Sequence, residues 1–182
     1  PEWRYQDNDI CGGKFLIIDP SSDKIHSDKV AIGYFEVFDG YPCLMELIEE
    51  RLSPGDTIRK ALDLCLRHGA AIVAIESNAY QYSLNYWFAF ICEQLGITGI
   101  QPVEIYSGMI AKQSRIMSMF RTLPKGETKI HPSCRPAVFL QISQFNPLRR
   151  DNDDGILDLL CYAPRVLEMY GTEILNSTII QE

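Results

Sequence analysis

Lys14-Phe15-Leu16-Ile17-Ile18-Asp19-Pro20 is the stretch that decides how the rest of the chain folds. Four consecutive apolar residues make a short buried strand, which stops on a carboxylate followed by a proline that cannot continue a ladder. An acid therefore sits at the mouth of a sheet. It must be solvated, hydrogen-bonded or metal-bound, because burying a carboxylate unpaired is costly. What Asp19 does depends on which other acids can reach it.

Working outward, Val30 to Val37 reads as a second strand, and Asp39-Gly40 supplies hairpin chemistry before a third strand over Cys43 to Leu52. Ser53-Pro54 is a cap and first helical position, and Ile58, Ala61, Leu62, Cys65 and Leu66 recur at helical spacing up to Gly69. His68 is read as a helix-terminus residue. Ala70 to Ile75 is a continuous apolar run, the mark of a strand covered on both faces, and it ends on Glu76. A second strand thus delivers an acid to a sheet edge. Ser83 to Leu95 reads as an apolar helix, Gln101 to Tyr106 as a strand, and the segment around Lys112 to Arg121 as a helix of mixed basic and apolar residues. Lys125 to Pro132 reads as a basic loop or hairpin, and Pro136 to Phe145 as a short helix. Asp151-Asn152-Asp153-Asp154 then opens a last long helix, where the macrodipole favours carboxylates. The tail from Gly171 is expected to be peripheral.

With 182 residues, 46% hydrophobic and 23% charged, the chain fits one soluble domain, core about 14–170, with peripheral termini. No apolar run approaches the length of a membrane span, and no secretory signal is evident at the start. Pro1 in place of an initiator methionine suggests a cut inside a longer polypeptide. The six cysteines stand singly, without zinc-ligand spacing; four lie in apolar surroundings, where a free thiol behaves as a small hydrophobe, and a reducing compartment is the simple reading. A net charge of −7 argues against nucleic acid unless the acids are neutralised by metal. In that case the basic residues of the second half, Lys112, Arg115, Lys125 and Lys129 among them, set the DNA footprint.

Asp19, Glu76 and an acid at the head of the last helix, each at an element end in a β-β-β-α-β-α-β-α order, define one candidate site. Three or four carboxylates can hold two divalent ions, and hard oxygen ligands select Mg²⁺ or Mn²⁺. Asp19 is expected to bridge the two ions, with Glu76 on one of them. Asp154 is the favoured third ligand and Asp158, on the same helix face, the next, with Asp153 also a candidate.

These residues carry a resemblance. Phe15 to Asp19 with the turn reaching Ser27-Asp28, Ile75-Glu76-Ser77-Asn78, Lys112-Gln113-Ser114-Arg115-Ile116 and Asn152-Asp153-Asp154 running into Asp158-Leu159-Leu160 resemble the C-terminal nuclease domain of a tailed-phage terminase large subunit. The resemblance implies an α/β, RNase H-like mixed central sheet, three antiparallel strands and then parallel ones, flanked by helices. It also implies metal-dependent endonucleolytic cleavage of double-stranded DNA during genome packaging in the cytoplasm of a bacterial host. Small-subunit and portal partners would be reached through a longer chain carrying an ATPase motor. Two departures stand out: Asp154 to Asp158 is a step of four where the family commonly has three, and no G-x-x-x-x-G-K-[ST] loop is present. A junction resolvase of the same superfamily and a non-catalytic adaptor on a decayed nuclease fold are the alternatives. An actin-like phosphotransferase would need glycines where Pro20-Ser21-Ser22 stands.

Overall fold

The computed structural model describes residues 12–20, 29–76, 82–106, 110–149 and 152–177, apart from the side chains of Tyr82 and Ser83. The strands are β1 (Lys14–Asp19), β2 (Val30–Phe38), β3 (Tyr41–Glu50), β4 (Ile72–Glu76), β5 (Gln101–Ile105) and β6 (Lys129–Ile130). The helices are α1 (Pro54–His68), α2 (Tyr82–Gln94), α3 (Lys112–Thr122), α4 (Arg135–Gln144) and α5 (Gly155–Asn176). One sheet runs β5-β4-β1-β2-β3-β6. β1, β2 and β3 form an antiparallel meander, while β4 pairs parallel with β1, β5 with β4 and β6 with β3. This is the expected α/β architecture. Among the described residues no helix is long and apolar enough to cross a membrane.

Local chemistry sets the element ends. Asp39 and Gly40 both take positive φ, 54° and 79°, with Phe38 facing Tyr41, so the hairpin closes through a two-residue left-handed turn that matches strand twist. Ser53 accepts the Asp56 amide at 3.1 Å to start α1, and Gly69 at φ 73° ends it by donating to the Cys65 carbonyl at 2.8 Å. Cys43, Cys65, Cys92 and Cys134 are buried free thiols, as their apolar settings imply.

Two regions depart from the sequence expectation. Lys125 to Pro132 is not a hairpin. Gly126 closes a short helical turn, and Lys129–Ile130 then adds to the open edge of β3, with Cys43 facing Lys129 and Leu44 facing Ile130. Nor is the stretch after Gly171 wholly peripheral. α5 passes an irregular residue at Tyr170 and continues to Asn176, burying Ile174 over Gly13. A Cβ at Gly13 would stand 2.7 Å from the Ile174 side chain, so the glycine lets the helix settle on the sheet. The turn spanning Ser21 to Asp28, and residues Ser77, Asn78 and Asp151, lie outside the described residues.

Strand alternation divides the core in two. Leu16, Ile18, Val73 and Ile75 point towards α1 and α2. Phe15, Ile17, Ile72 and Ala74 point towards α3, α4 and α5. Because period two continues to the strand ends, Asp19 and Glu76 fall on the second face, the side covered by α5.

Candidate metal centre

β1 and β4 are adjacent and parallel, with Ile17 level with Ala74 and Ile18 with Ile75, so the next residues, Asp19 and Glu76, emerge side by side. Their carboxyl groups are close enough to act on each other through charge. Burial pushes the Asp19 pKa well above the ordinary carboxylate value, and the charges of Asp158 and Glu76 push it further, against an opposing pull from Lys112. Burial is the larger cause, and the neighbouring acids add to it.

α5 supplies the facing acids. Asp154 occupies the N-cap position, yet its side chain makes no capping bond. Gln141 of α4 caps the helix in its place, and its Oε1 accepts the amides of Ile156 at 3.1 Å and Leu157 at 3.4 Å. The Asp154 carboxylate is thereby left for the site, where its Oδ1 meets the Lys112 ammonium at 2.6 Å. Asp158, one turn on and 1% exposed, meets the same ammonium through Oδ2 at 2.6 Å. Burial raises the Asp158 pKa, Lys112 lowers it through charge and hydrogen bond, Asp154 and Glu76 raise it again, and the outcome is upward. For Lys112, burial alone would favour the neutral amine, but Asp158, Asp154 and Asp19 outweigh it and hold the ammonium above its usual pKa.

A basic and phenolic layer lies behind the acids. Arg115 Nη2 donates to Tyr162 Oη at 3.0 Å and lies 3.3 Å from Asp158 Oδ1. Tyr162 Oη in turn donates to Glu76 Oε1 at 2.6 Å, which fixes that carboxylate's orientation. Burial and the Glu76 charge keep the phenol neutral by raising its pKa. Cys161 beside Asp158 has its thiol pushed up to about 12, chiefly by burial, and is therefore not a nucleophile at neutral pH.

The residues singled out from sequence separate into groups. Asp19, Glu76 and Asp158 lie within reach of one another's charge, and Asp154 within reach of Asp158. Asp153 turns outward to Lys29, with 3.1 Å between their charged atoms. Lys112 is an ion-pair partner of the acids, and Arg115 faces inward. Lys129 is buried in the sheet, where it lies over the Tyr41 ring and donates to the Phe38 carbonyl at 3.4 Å. Lys125 is exposed. Tyr162 and Gln141 join the site without being sequence candidates. Tyr162 follows Asp158 by one helical turn, a signal present in the sequence, whereas the reach of Gln141 to α5 is a tertiary contact.

The donor set suits a hard divalent cation, since every ligand atom is a carboxylate oxygen and Gly155 leaves room beside them. A Cβ added there would stand 3.4 Å from Asp19 Oδ2 and 3.2 Å from Ala31 Cβ. Among the described residues, however, no three acid, imidazole or thiol side chains already converge as a metal cage. Asp154 and Asp158 close on Lys112 instead.

A six-stranded mixed sheet with this topology, flanked by helices on both faces, is the α/β architecture expected of an RNase H-like fold. More particularly, it is the fold of terminase nuclease domains. The chain is similar to the human cytomegalovirus terminase nuclease domain, solved after a Mn soak, with TM-score 0.68 and 13% identity over 94% of this chain and 92% of that one. It is similar to the P22 large terminase nuclease domain, with TM-score 0.59 and 14% identity over 87% of this chain and 82% of that one. It is also similar to the large terminase of a thermophilic bacteriophage, with TM-score 0.60 and 12% identity over 86% of this chain but only 40% of that longer one. No family model and no curated protein sequence matches.

Proposed function

We propose that the chain is a metal-dependent endonuclease that hydrolyses phosphodiester bonds of double-stranded DNA during viral genome packaging. The observation that carries this reading is the placement of Asp19 and Glu76 side by side, on the same face as Asp158. Asp19 and Glu76 would hold the divalent ion, Mg²⁺ or Mn²⁺, with Asp158 facing them. When bound, such an ion lowers the pKa of a water and offsets charge on a phosphoryl oxygen. Tyr162 holds the Glu76 carboxylate in one orientation, and Arg115 holds Tyr162 and Asp158. Gln141 keeps Asp154 free of its own helix. DNA would lie over α3, whose outer face forms a groove of about 380 Å³ lined by Gln113, Ser114, Met117, Ser118, Arg121 and Pro147. Arg121 and the exposed Lys125 are better placed for phosphate than the inward-facing Arg115 and Lys129. Within a longer chain, a packaging motor and its small-subunit and portal partners would present the DNA in the host cytoplasm.

Incubation of supercoiled plasmid with Mn²⁺, Mg²⁺ or chelator, wild type beside Asp19→Asn, tests the proposal. Nicking with either metal, absent in chelator and in Asp19→Asn, is the expected result. Nicking that survives chelator would sink it. A junction-resolving activity is a second reading, favoured by the similarity to the fowlpox virus Holliday junction resolvase, with TM-score 0.53 over 86% of this chain and 98% of that one. Preferential cutting of a four-way junction over linear duplex would select it.

A further inference from the structure

Lys112 enters the acid cluster from its solvent edge, and its ammonium stands 2.6 Å from one oxygen of Asp154 and 2.6 Å from one oxygen of Asp158. Both contacts are at the short end for charge-assisted hydrogen bonds. The two carboxylates are 10% and 2% exposed, so little water competes for them. Asp158 has a second cationic partner in Arg115, at 3.3 Å. Asp154 and Asp158 are thus met at contact distance by cations from within the chain, while Lys112 reaches Asp19 through its charge and Glu76 accepts from the Tyr162 hydroxyl.

From this arrangement we infer that Lys112 takes the place of one of two metal ions, so that the centre binds a single divalent cation between Asp19 and Glu76. The inference rests on the metal-dependent reading above and replaces the two-ion site expected from the sequence. Charge balance favours it. Four carboxylates against one ammonium and one guanidinium leave two negative charges, which one divalent cation neutralises. A second ion would have to break both short Lys112 contacts and would leave the pocket with excess positive charge. The ammonium then offers the bound phosphodiester a fixed positive charge where a second ion would otherwise stand.

Mn²⁺ titration of the 182-residue chain, followed by electron paramagnetic resonance of free Mn²⁺ with no DNA present, reads the stoichiometry without an activity assay. Wild type is expected to bind one Mn²⁺ per chain. Lys112→Gln, which frees Asp154 and leaves Asp158 with Arg115 alone, should acquire a second Mn²⁺ at least about 10-fold more tightly than any second ion on wild type, in the range seen when the groups around a metal site change. Lys112→Arg keeps the cation and should stay at one. Two ions of comparable affinity on wild type would overturn the inference while leaving metal dependence standing. So would a Lys112→Gln titration that matches wild type. If neither protein binds Mn²⁺, both this inference and the metal-dependent reading fall. Should Lys112→Gln not fold, the wild-type and Lys112→Arg stoichiometries still decide the matter.

Discussion

On the face of the sheet covered by α1 and α2, Leu16, Ile18, Val73 and Ile75 meet Ile58, Leu62, Cys65 and Phe88, and the packing is apolar throughout that set. On the opposite face Phe15, Ile17, Ile72 and Ala74 begin in the same way, but their rows end on Asp19 and Glu76 beneath α5. The same two strands therefore serve stability on one side and bring charges together on the other. What separates the two outcomes is parity: moving either acid by one residue would turn it towards the α1 and α2 side.

Substitution at neighbouring residues of one strand is the sharpest way to break that comparison. Ile18→Ala should cost about 2–5 kcal/mol of stability through the cavity it leaves, measurable by denaturant unfolding, with the metal site's residues untouched. Asp19→Asn should do the reverse. Nicking activity is expected to fall by more than about 100-fold, since even supporting contacts around a metal are commonly worth 10- to 100-fold, while stability without metal stays level or rises. If both substitutions destabilise alike and Asp19→Asn stays active, the two faces do not differ in role.

A smaller effect is expected behind the acids. Tyr162→Phe removes the hydroxyl that receives from Arg115 and donates to Glu76, but keeps the ring. Mn²⁺ affinity or nicking should fall by about 10- to 100-fold, the usual range for an outer partner of a metal ligand. Unchanged affinity and activity would reduce Tyr162 to a packing residue.

Much of the scaffold can be read from sequence because its determinants are local. Asp39-Gly40, Ser53-Pro54 and Gly69 each set a turn or a helix end through their own backbone preferences, and the apolar runs before Asp19 and Glu76 state their own burial. The parity that sends both acids to one face is also present, in Phe15-Ile17-Asp19 and Ile72-Ala74-Glu76. Other features depend on tertiary contacts that composition does not reveal. A basic residue among apolar ones looks the same whether it faces DNA or, like Arg115, turns inward to a phenol and a carboxylate. Lys129 escapes a reading of the sequence for a related reason: a two-residue strand has no period of its own and exists because the edge of β3 receives it. Asp154 looks like a helix cap, and only the arrival of Gln141 from α4 makes it something else.

The smallest expected effect concerns pH. Asp19 and Asp158 both have carboxyl pKa values raised in the folded protein, by burial first and then by neighbouring acids, with Lys112 opposing. For such a group the folded state binds the proton more tightly than the unfolded chain does. Its contribution to stability is therefore fully present below the ordinary carboxylate pKa and is lost as pH rises through the raised value. Asparagine at position 19 cannot ionise and carries no such dependence. Without metal, the melting temperatures of wild type and Asp19→Asn should be closest near about pH 4, the ordinary carboxylate range. They should separate as pH rises towards about 8, with the variant melting higher. Each kcal/mol of relieved repulsion corresponds to about 2–4 °C in a chain of this size. Saturating Mn²⁺ should reverse the order at the alkaline end, because an ion that binds only the folded state stabilises it in proportion to its affinity, and wild type holds the ion more tightly. A gap that stays constant with pH, or a Mn²⁺ response equal in the two proteins, would separate Asp19 from the crowded site.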